Sequence, residues 1–437
     1  MSAKYQGKED YLSEGDFYSV SFSKSQNNNI FYNNSNNEQS NNSFQDFNKN
    51  NCNSKNNEKN AYEEGKNLSH DNNSLNPFNN NQEIQTMYDP NNVFKKYDKE
   101  PKTSLSNLGD NSYLNSVLQF IGHISNLAIY FLNPENQKFI DENIKNMPLS
   151  FVTERLFIHL YPFPLKPEYE IYSGYSYLKV LASLNLVYKT GKYERKNPNE
   201  LLLFILETLH NEINNYNLKH KPQNISIDNS DNLNTFIKNF AYNKTIISDL
   251  NWFQLEKKIC SNCSLETNNF LAFSTFNLDI MNLGNNSNEI TIYDCLQLFG
   301  NQKKKKLCCN NCGNKFQIMF SQKFIFTFNN TIIFMMDRGI NFDKANILMN
   351  IHFKIEEKIN LAKFILNGNS HNQFKLSAII SISIKENKYI CFCKSLITNE
   401  WFIYNDDIVD FTDLGIILKE HNEDKIYIPC ILLYQSE

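Results

Sequence analysis

The apolar positions of this chain change rhythm twice. Between residues 26 and 60, 16 of 35 residues are Asn, and the apolar or aromatic members are Ile30, Phe31, Tyr32, Phe44, Phe47 and Cys52. Such a tract cannot bury enough apolar surface to offset its chain entropy, so residues 1–102 are expected to form a disordered, Asn-rich tail. From Thr103 onward the pattern is that of a packed domain. Leu114, Val117, Leu118 and Ile121 recur at helical spacing. Residues 200–213 predict a second helix with Leu202, Ile205, Leu206 and Leu209 on one face. Its start, Asn197-Pro198-Asn199-Glu200, carries a capping-type Asn and an early Pro. After about residue 250, runs rich in aromatic and β-branched residues predict strands over 270–280, 323–336, 374–384, 388–394 and 426–434. Helices followed by an irregular sheet imply an α+β fold rather than alternating βαβ units.

Composition narrows the function classes. The net charge of −4 argues against a direct nucleic-acid binder and against a membrane-surface protein. The one dense basic run, Lys303, Lys304, Lys305 and Lys306, is expected to be a solvated loop. No apolar stretch reaches the ~18 residues needed to span a bilayer, and the start of the chain has no signal-peptide core. Ten cysteines without a secretion signal point to the cytosol or nucleus, where paired Cys hold metal more often than they form disulfides.

The cysteine spacing is specific. Cys260-x-x-Cys263 and Cys309-x-x-Cys312 are two chelating knuckles, and four thiolates match tetrahedral zinc. Cys308 could substitute as a ligand, but only Cys309 gives the two-residue gap. The long separation between the pairs predicts a structural site tying two ribbons together. No His or carboxylate beside them suggests an open catalytic position.

Residues 107–119 read Asn-Leu-Gly-Asp-Asn-Ser-Tyr-Leu-Asn-Ser-Val-Leu-Gln. A nucleophile at a helix start lies against the positive end of the helix dipole, which favours thiolate over thiol. An Asn five residues earlier can offer its amide to an oxyanion. The stretch resembles the nucleophile box of the ubiquitin-specific proteases, Asn-Leu-Gly-Asn-Thr-Cys-Tyr-Met-Asn-Ser-Val-Leu-Gln, with Ser112 at the position of the cysteine. Lys388-Tyr389-Ile390-Cys391-Phe392-Cys393-Lys394 resembles the family's Gly-His-Tyr-x-Ala-Tyr-Cys-Lys strand, placing the expected His on Lys388 and the expected Gly on Asn387. Trp401-Phe402-Ile403-Tyr404-Asn405-Asp406-Asp407 is similar to Trp-Tyr-x-Phe-Asp/Asn-Asp, placing the orienting residue of the triad on Asn405. The helix from Glu200 and the stretch Ile332-Ile333-Phe334-Met335-Met336-Asp337-Arg338-Gly339 match further landmarks in order.

The resemblance spans about residues 103–436 and implies a papain-like fold with thumb (about 103–245), zinc-braced fingers (about 250–325) and palm (about 326–437). It implies ubiquitin or a ubiquitin-like protein as ligand, or an assembly partner. Family acids on the thumb helix meet the basic ubiquitin tail; Glu200 keeps one, whereas Asn197 has lost the other. Of the catalytic positions, Asn107 and Asn405 keep a permitted type, while Ser112 and Lys388 do not. Three readings follow: an inactive pseudo-deubiquitinase, a hydrolase with a divergent Ser112–Lys388 site, or a scaffold of the kind found in RNA-processing complexes. For the dyad, Lys388 would have to be neutral, and its flanking residues suggest instead a solvated lysine at a strand end. The remaining histidines are expected in helices (His123, His159, His210) or in loops (His371, His421).

Overall fold

A computed structural model describes residues 93–94, 102–162, 170–188, 196–219, 233–284, 289–313, 315–339, 347–366 and 372–436. Apart from residues 93–94 and 102, the expected tail lies outside them, as does His371. Val93 and Phe94 pack against the helical core, with the Phe94 ring 5.6 Å from that of Tyr161.

The N-terminal part is helical. Strand β1 (Thr103–Leu105) precedes α1 (Ser112–Gly122), α2 (Ser125–Phe131), α3 (Pro134–Glu142) and α4 (Pro148–Leu160). Strand β2 (Glu170–Tyr172), parallel to β1, is followed by α5 (Tyr175–Leu184), α6 (Pro198–Lys219) and α7 (Leu233–Tyr242). Every residue of α1 is buried. Leu114, Val117, Leu118 and Ile121 lie in the main core, each worth ~1.5–3 kcal/mol of burial. The buried amide N–H groups of α1 find acceptors on the adjoining chain. Gln119 Nε2 donates to Thr103 O at 2.9 Å, and Asn115 Nδ2 to Ser106 O at 3.2 Å. At the C-terminal end, His123 is fully buried, which pushes its ring down to about 4 against a raising hydrogen bond to Gln119 O. The neutral ring donates from Nδ1 to Gln119 O at 2.7 Å, so Nε2 accepts the Tyr404 hydroxyl at 3.1 Å.

Helix α6 begins at Pro198, with Asn197 Oδ1 accepting the Asn199 N–H at 3.0 Å, as its sequence predicted. One turn carries a buried carboxylate to the start of α4. Glu212 accepts the N–H groups of Leu149 (3.0 Å) and Ser150 (2.7 Å) and the Ser150 hydroxyl (2.7 Å), satisfying helix-end donors.

Two sheets follow. The first has the order β4-β3-β7-β6, from β3 (Trp252–Cys260), β4 (Glu266–Phe273), β6 (Lys303–Cys309) and β7 (Lys315–Phe328). Between its halves lie β5 (Phe276–Asn277) and α8 (Ile292–Phe299). The second has the order β13-β12-β11-β10-β14-β8-β5, with β9 also paired to β10. Its remaining strands are β8 (Thr331–Met335), β9 (Lys358–Asn360), β10 (Gln373–Ser383), β11 (Lys388–Lys394), β12 (Trp401–Asn405), β13 (Ile408–Thr412) and β14 (Tyr427–Ser436). Helix α1 packs on β11, β10 and β12, and α9 (Leu414–Asn422) packs on β14. The result is the expected α+β arrangement. Among the described residues no helix is long and apolar enough to cross a membrane.

Three expectations change in detail. The runs 270–280 and 323–336 are each two strands, interrupted at Ser274-Thr275 and at Asn329-Asn330, where polar residues end one sheet and start the other. The four lysines are not a loop but the outer strand β6, whose exposed charges the spacing alone did not reveal. His421 is not in a loop either: it closes α9, 1% exposed, because its polar atoms are both satisfied. Nδ1 donates to Ile417 O and Nε2 accepts Ser381 Oγ–H, each at 2.7 Å.

That burial pushes the His421 ring down to about 4, the hydrogen bond to Ile417 opposing. A ring held neutral in the fold, but titrating near ~6.5 when unfolded, contributes stability that is complete above pH ~6.5 and is lost as pH falls towards 4. In urea titrations at a series of pH values, His421→Gln should be less stable than the parent at pH 7. The difference should shrink by up to about 1.4 kcal/mol per pH unit within that window. Parallel profiles would contradict this assignment.

Candidate functional site and metal centre

The start of α1 is shaped by the turn before it. Gly109 has φ +118°, a conformation open to glycine. Asn107 Oδ1 accepts the Gly109 N–H at 2.8 Å, and Asn111 Oδ1 accepts the Leu108 N–H at 2.9 Å. Ser112 then becomes the first helical residue, 6% exposed. Its Oγ accepts the backbone N–H of Tyr389 at 3.2 Å, so the start of β11 abuts the start of α1. Among the described residues no imidazole or carboxylate lies within hydrogen-bond distance of that hydroxyl.

Lys388 opens β11 after a four-residue connection from β10. Asn387, in the place of the expected glycine, has φ +55°, which Asn tolerates better than most residues, so the substitution keeps the turn. The lysine is not the solvated residue that its neighbours suggested. Its side chain is 24% exposed, and Nζ lies 3.2 Å from Asp406 Oδ2 and 3.3 Å from Glu386 Oε2. Its Nζ is thus engaged on two carboxylates, and among the described residues the recorded partner of Ser112 Oγ is the Tyr389 N–H.

Asp406 is the residue that sequence reasoning passed over. It lies in the two-residue turn between β12 and β13 with φ +55°, and this bend turns its carboxylate inward, 1% exposed. Oδ2 accepts Asn107 Nδ2–H at 3.0 Å as well as the Lys388 ammonium, and Oδ1 accepts Asn115 Nδ2–H at 2.9 Å. The Asn107 amide is therefore engaged on Asp406. Asn405 is engaged on the other side, where its Nδ2 donates to both Glu386 oxygens at 3.3 and 3.1 Å. Its buried Oδ1 has no hydrogen-bond partner. The structure thus brings Asn107, Ser112, Lys388 and Asn405 to one seam. Glu200 stands apart from that cluster, exposed in the first turn of α6, while Asn197 Nδ2 reaches Asp337 Oδ1 at 3.4 Å. The signal for Asp406 was present in the Asn405-Asp406-Asp407 run, but nothing in the sequence says which acid turns inward.

The four cysteines of the two knuckles converge at the end of the four-stranded sheet. Cys260 ends β3 and Cys309 ends β6, both buried. Ser264 (φ +57°) and Gly313 (φ +70°) bend the chain back at each knuckle. The four Sγ atoms lie within 4.8 Å of one another, with Cys260–Cys312 at 3.8 Å and Cys263–Cys309 at 3.5 Å. Tetrahedral zinc with Zn–S of ~2.3 Å requires sulfurs ~3.8 Å apart, so the donor set fits. Hydrogen bonds from the Leu265 backbone and the Asn311 side chain hold the Cys263 thiol down at about 6, whereas burial pushes the Cys309 thiol up. Cys308 is outside the cluster, as its spacing implied. Among the described residues, Met319, Leu265 and Leu307 are the apolar side chains clustered with the sulfurs, a core too small to hold the sheet end by itself. Metal here would brace structure, with four protein ligands and no open position.

Two outcomes are expected. Cys260→Ser or Cys312→Ser should lower bound zinc to well below one equivalent and lower thermal stability, because metal binding contributes to folding; metal-free protein of unchanged stability would contradict the assignment. Lys388→Met should destabilise by about 1–3 kcal/mol by leaving Asp406 buried without its countercharge. Combining it with Asp406→Asn should cost less than the sum of the two single changes, and additive losses would show that the pair is not coupled.

The fold corresponds to that of known proteins. Residues 103–434 match the family described as Ubiquitin carboxyl-terminal hydrolase. Ubiquitin carboxyl-terminal hydrolase 2 of Homo sapiens is 27% identical over 235 residues, which cover 50% of this chain and 37% of that protein. The Gallus gallus protein of the same name is 26% identical over 234 residues, 50% of this chain and 63% of the relative. The chain thus spans between about a third and two thirds of the length of these relatives. A chain of the solved SAGA DUB module of Ubp8, Sgf11, Sus1 and Sgf73, bound to monoubiquitin, superposes with a TM-score of 0.54 at 16% identity, covering 77% of this chain and 70% of that one. The likeness to that structure is one of fold, the papain-like fold of the ubiquitin-specific proteases. From the family match over 103–434, this chain belongs to the ubiquitin carboxyl-terminal hydrolase family.

Proposed function

We propose that this chain is a pseudo-deubiquitinase: a ubiquitin-hydrolase fold without isopeptidase chemistry, retained for binding. The observation that carries this reading is the Lys388–Asp406 ion pair. The strand position that should supply an imidazole supplies a cation already committed to two carboxylates. Ser112, with a hydroxyl in place of a thiol, would need a general base and has a donor, Tyr389 N–H, on its oxygen instead. Asn405 Oδ1, oriented as an acceptor with nothing to accept, is consistent with the loss of a ring N–H from this seam. The same geometry speaks against a working Ser112–Lys388 dyad.

The ligand we propose is ubiquitin or a ubiquitin-like protein, supported by the monoubiquitin-bound fold neighbour and by the exposed Glu200, an acid available to a basic tail. One domain would run from about residue 103, with thumb to about 245, zinc-braced fingers over about 250–325 and palm over about 326–437. Limited proteolysis should then leave a stable core that begins near residue 103, and cleavage within 110–220 would contradict that boundary.

Titration of the purified chain with ubiquitin tests the reading. Saturable binding that weakens in Glu200→Lys supports it, whereas no binding would leave a scaffold, of the kind found in RNA-processing complexes, as the function. Chemistry is tested by restoration. Ser112→Cys alone returns a thiol without a base, and general acid–base catalysis is typically worth ~10²–10⁴-fold. Labelling by a ubiquitin C-terminal electrophile should therefore be weak in Ser112→Cys and much stronger in Ser112→Cys/Lys388→His, where an imidazole would meet Asn405 Oδ1. Equal labelling of the two variants would mean that the missing base is not what silences the site.

A further inference from the structure

The open edge of the four-stranded sheet is the strand that bears the four consecutive lysines. In the order β4-β3-β7-β6, β6 pairs with β7 and, among the described residues, with no strand on its other side. Such an edge presents unpaired N–H and C=O groups, and lysines on it deter pairing with a second copy of the same strand. Deterrence does not account for the apolar residues beside them. Residues directly opposite on paired strands share a face. Lys304 stands opposite Phe320, and Lys306 opposite Ile318. Phe316 and Ile318 are 65% and 51% exposed, on the face away from Met319 and the cysteine cluster.

Among the described residues these lysines have no ion-pair partner, although the chain is acidic overall and Lys304 Nζ lies 5.7 Å from the centroid of the Phe320 ring. Lys257 and Lys258 are paired with Glu266 (2.7 Å) and Glu256 (3.1 Å). Lys303 to Lys306 are exposed, and among the described residues no carboxylate is in contact with them. Burial pushes the Lys323 ammonium down, and although Glu256 opposes this, Lys305 and Lys303 add to the fall. The positive field is therefore felt within the sheet itself.

We infer that the β6 edge docks an acidic, extended segment of a partner protein, which adds to the sheet as a fifth strand. The lysines alternate between the two faces, Lys304 and Lys306 on one and Lys303 and Lys305 on the other. A bound β-strand with acids at successive positions also alternates and meets all four. A single-stranded nucleic acid offers its phosphates along one line and reaches the lysines of only one face. Ile318 and Phe316 take an apolar side chain of the docked strand. This docking is separate from the ubiquitin reading and does not depend on it.

Fluorescence anisotropy on the full chain at physiological salt tests it. The probe is a nine-residue peptide with a run of successive Asp and Glu residues flanked by Val. A second probe carries the same sequence with alternate backbone nitrogens methylated, which keeps the charge and removes the edge hydrogen bonds. Saturable binding of the first probe is expected, weakened about ten-fold or more both by methylation and by Lys304→Glu/Lys306→Glu, two exposed positions whose exchange leaves the fold intact. Hydrogen exchange should slow in β6 on binding. The inference is overturned if the first probe does not bind, or if the methylated peptide binds equally, meaning charge alone. It is likewise overturned if an oligouridylate of ten nucleotides binds more tightly than the peptide, or if monoubiquitin displaces it.

Discussion

A carboxylate removed from water must find donors, and the seam between the helical part and the large sheet is arranged around one. Asp406 is held by Asn107 from the turn before α1, by Asn115 from within α1, and by Lys388 from the first position of β11. Its own backbone oxygen accepts the Leu105 N–H at 3.0 Å, which adds β1 to the set. Burying a lone carboxylate costs several kcal/mol unless both hydrogen bonds and an opposite charge are supplied. Here two amides and an ammonium supply them. The consequence is that Asn107 and Lys388, which the motif resemblance sets at the places of an oxyanion donor and a base, are both occupied in holding Asp406. The proposed loss of chemistry and the cohesion of the seam have the same cause.

Much of this fold was legible in the sequence because its periodic elements are strongly marked. Helix α1 followed from Leu114, Val117, Leu118 and Ile121, and α6 from its Asn197-Pro198 start. The cysteine pairs were legible for a different reason: chelation demands a short fixed gap, so spacing alone selected Cys309 over Cys308. What failed was what depends on tertiary context. Four lysines in a row carry no strand pattern, and only pairing with β7 makes them an edge. His421 looked solvated beside acidic residues, but Ser381, some 40 positions away, gives its ring a buried partner. The four positions Asn107, Ser112, Lys388 and Asn405 were found from the motif, whereas Asp406 and Glu386 needed coordinates. A left-handed turn decides where an acid points, and sequence does not specify that.

The two ends of the molecule's chemistry are built on opposite principles. At the cysteine cluster, four soft donors share a small apolar base, so the fold there rests on a metal that the donor set fits. At the Asp406 seam, the fold rests on protein donors alone. Asn387 illustrates a turn made without glycine, since it holds a left-handed conformation that Asn tolerates.

The central claim is that this family member does not hydrolyse ubiquitin because its base position is a paired cation. The most direct measurement is turnover of ubiquitin carrying a fluorogenic C-terminal amide by the unmutated full chain, across pH 6 to 10. The account predicts no turnover above the rate without protein at any pH, including alkaline pH where free lysines begin to lose their protons. Turnover that is abolished by Ser112→Ala would contradict it.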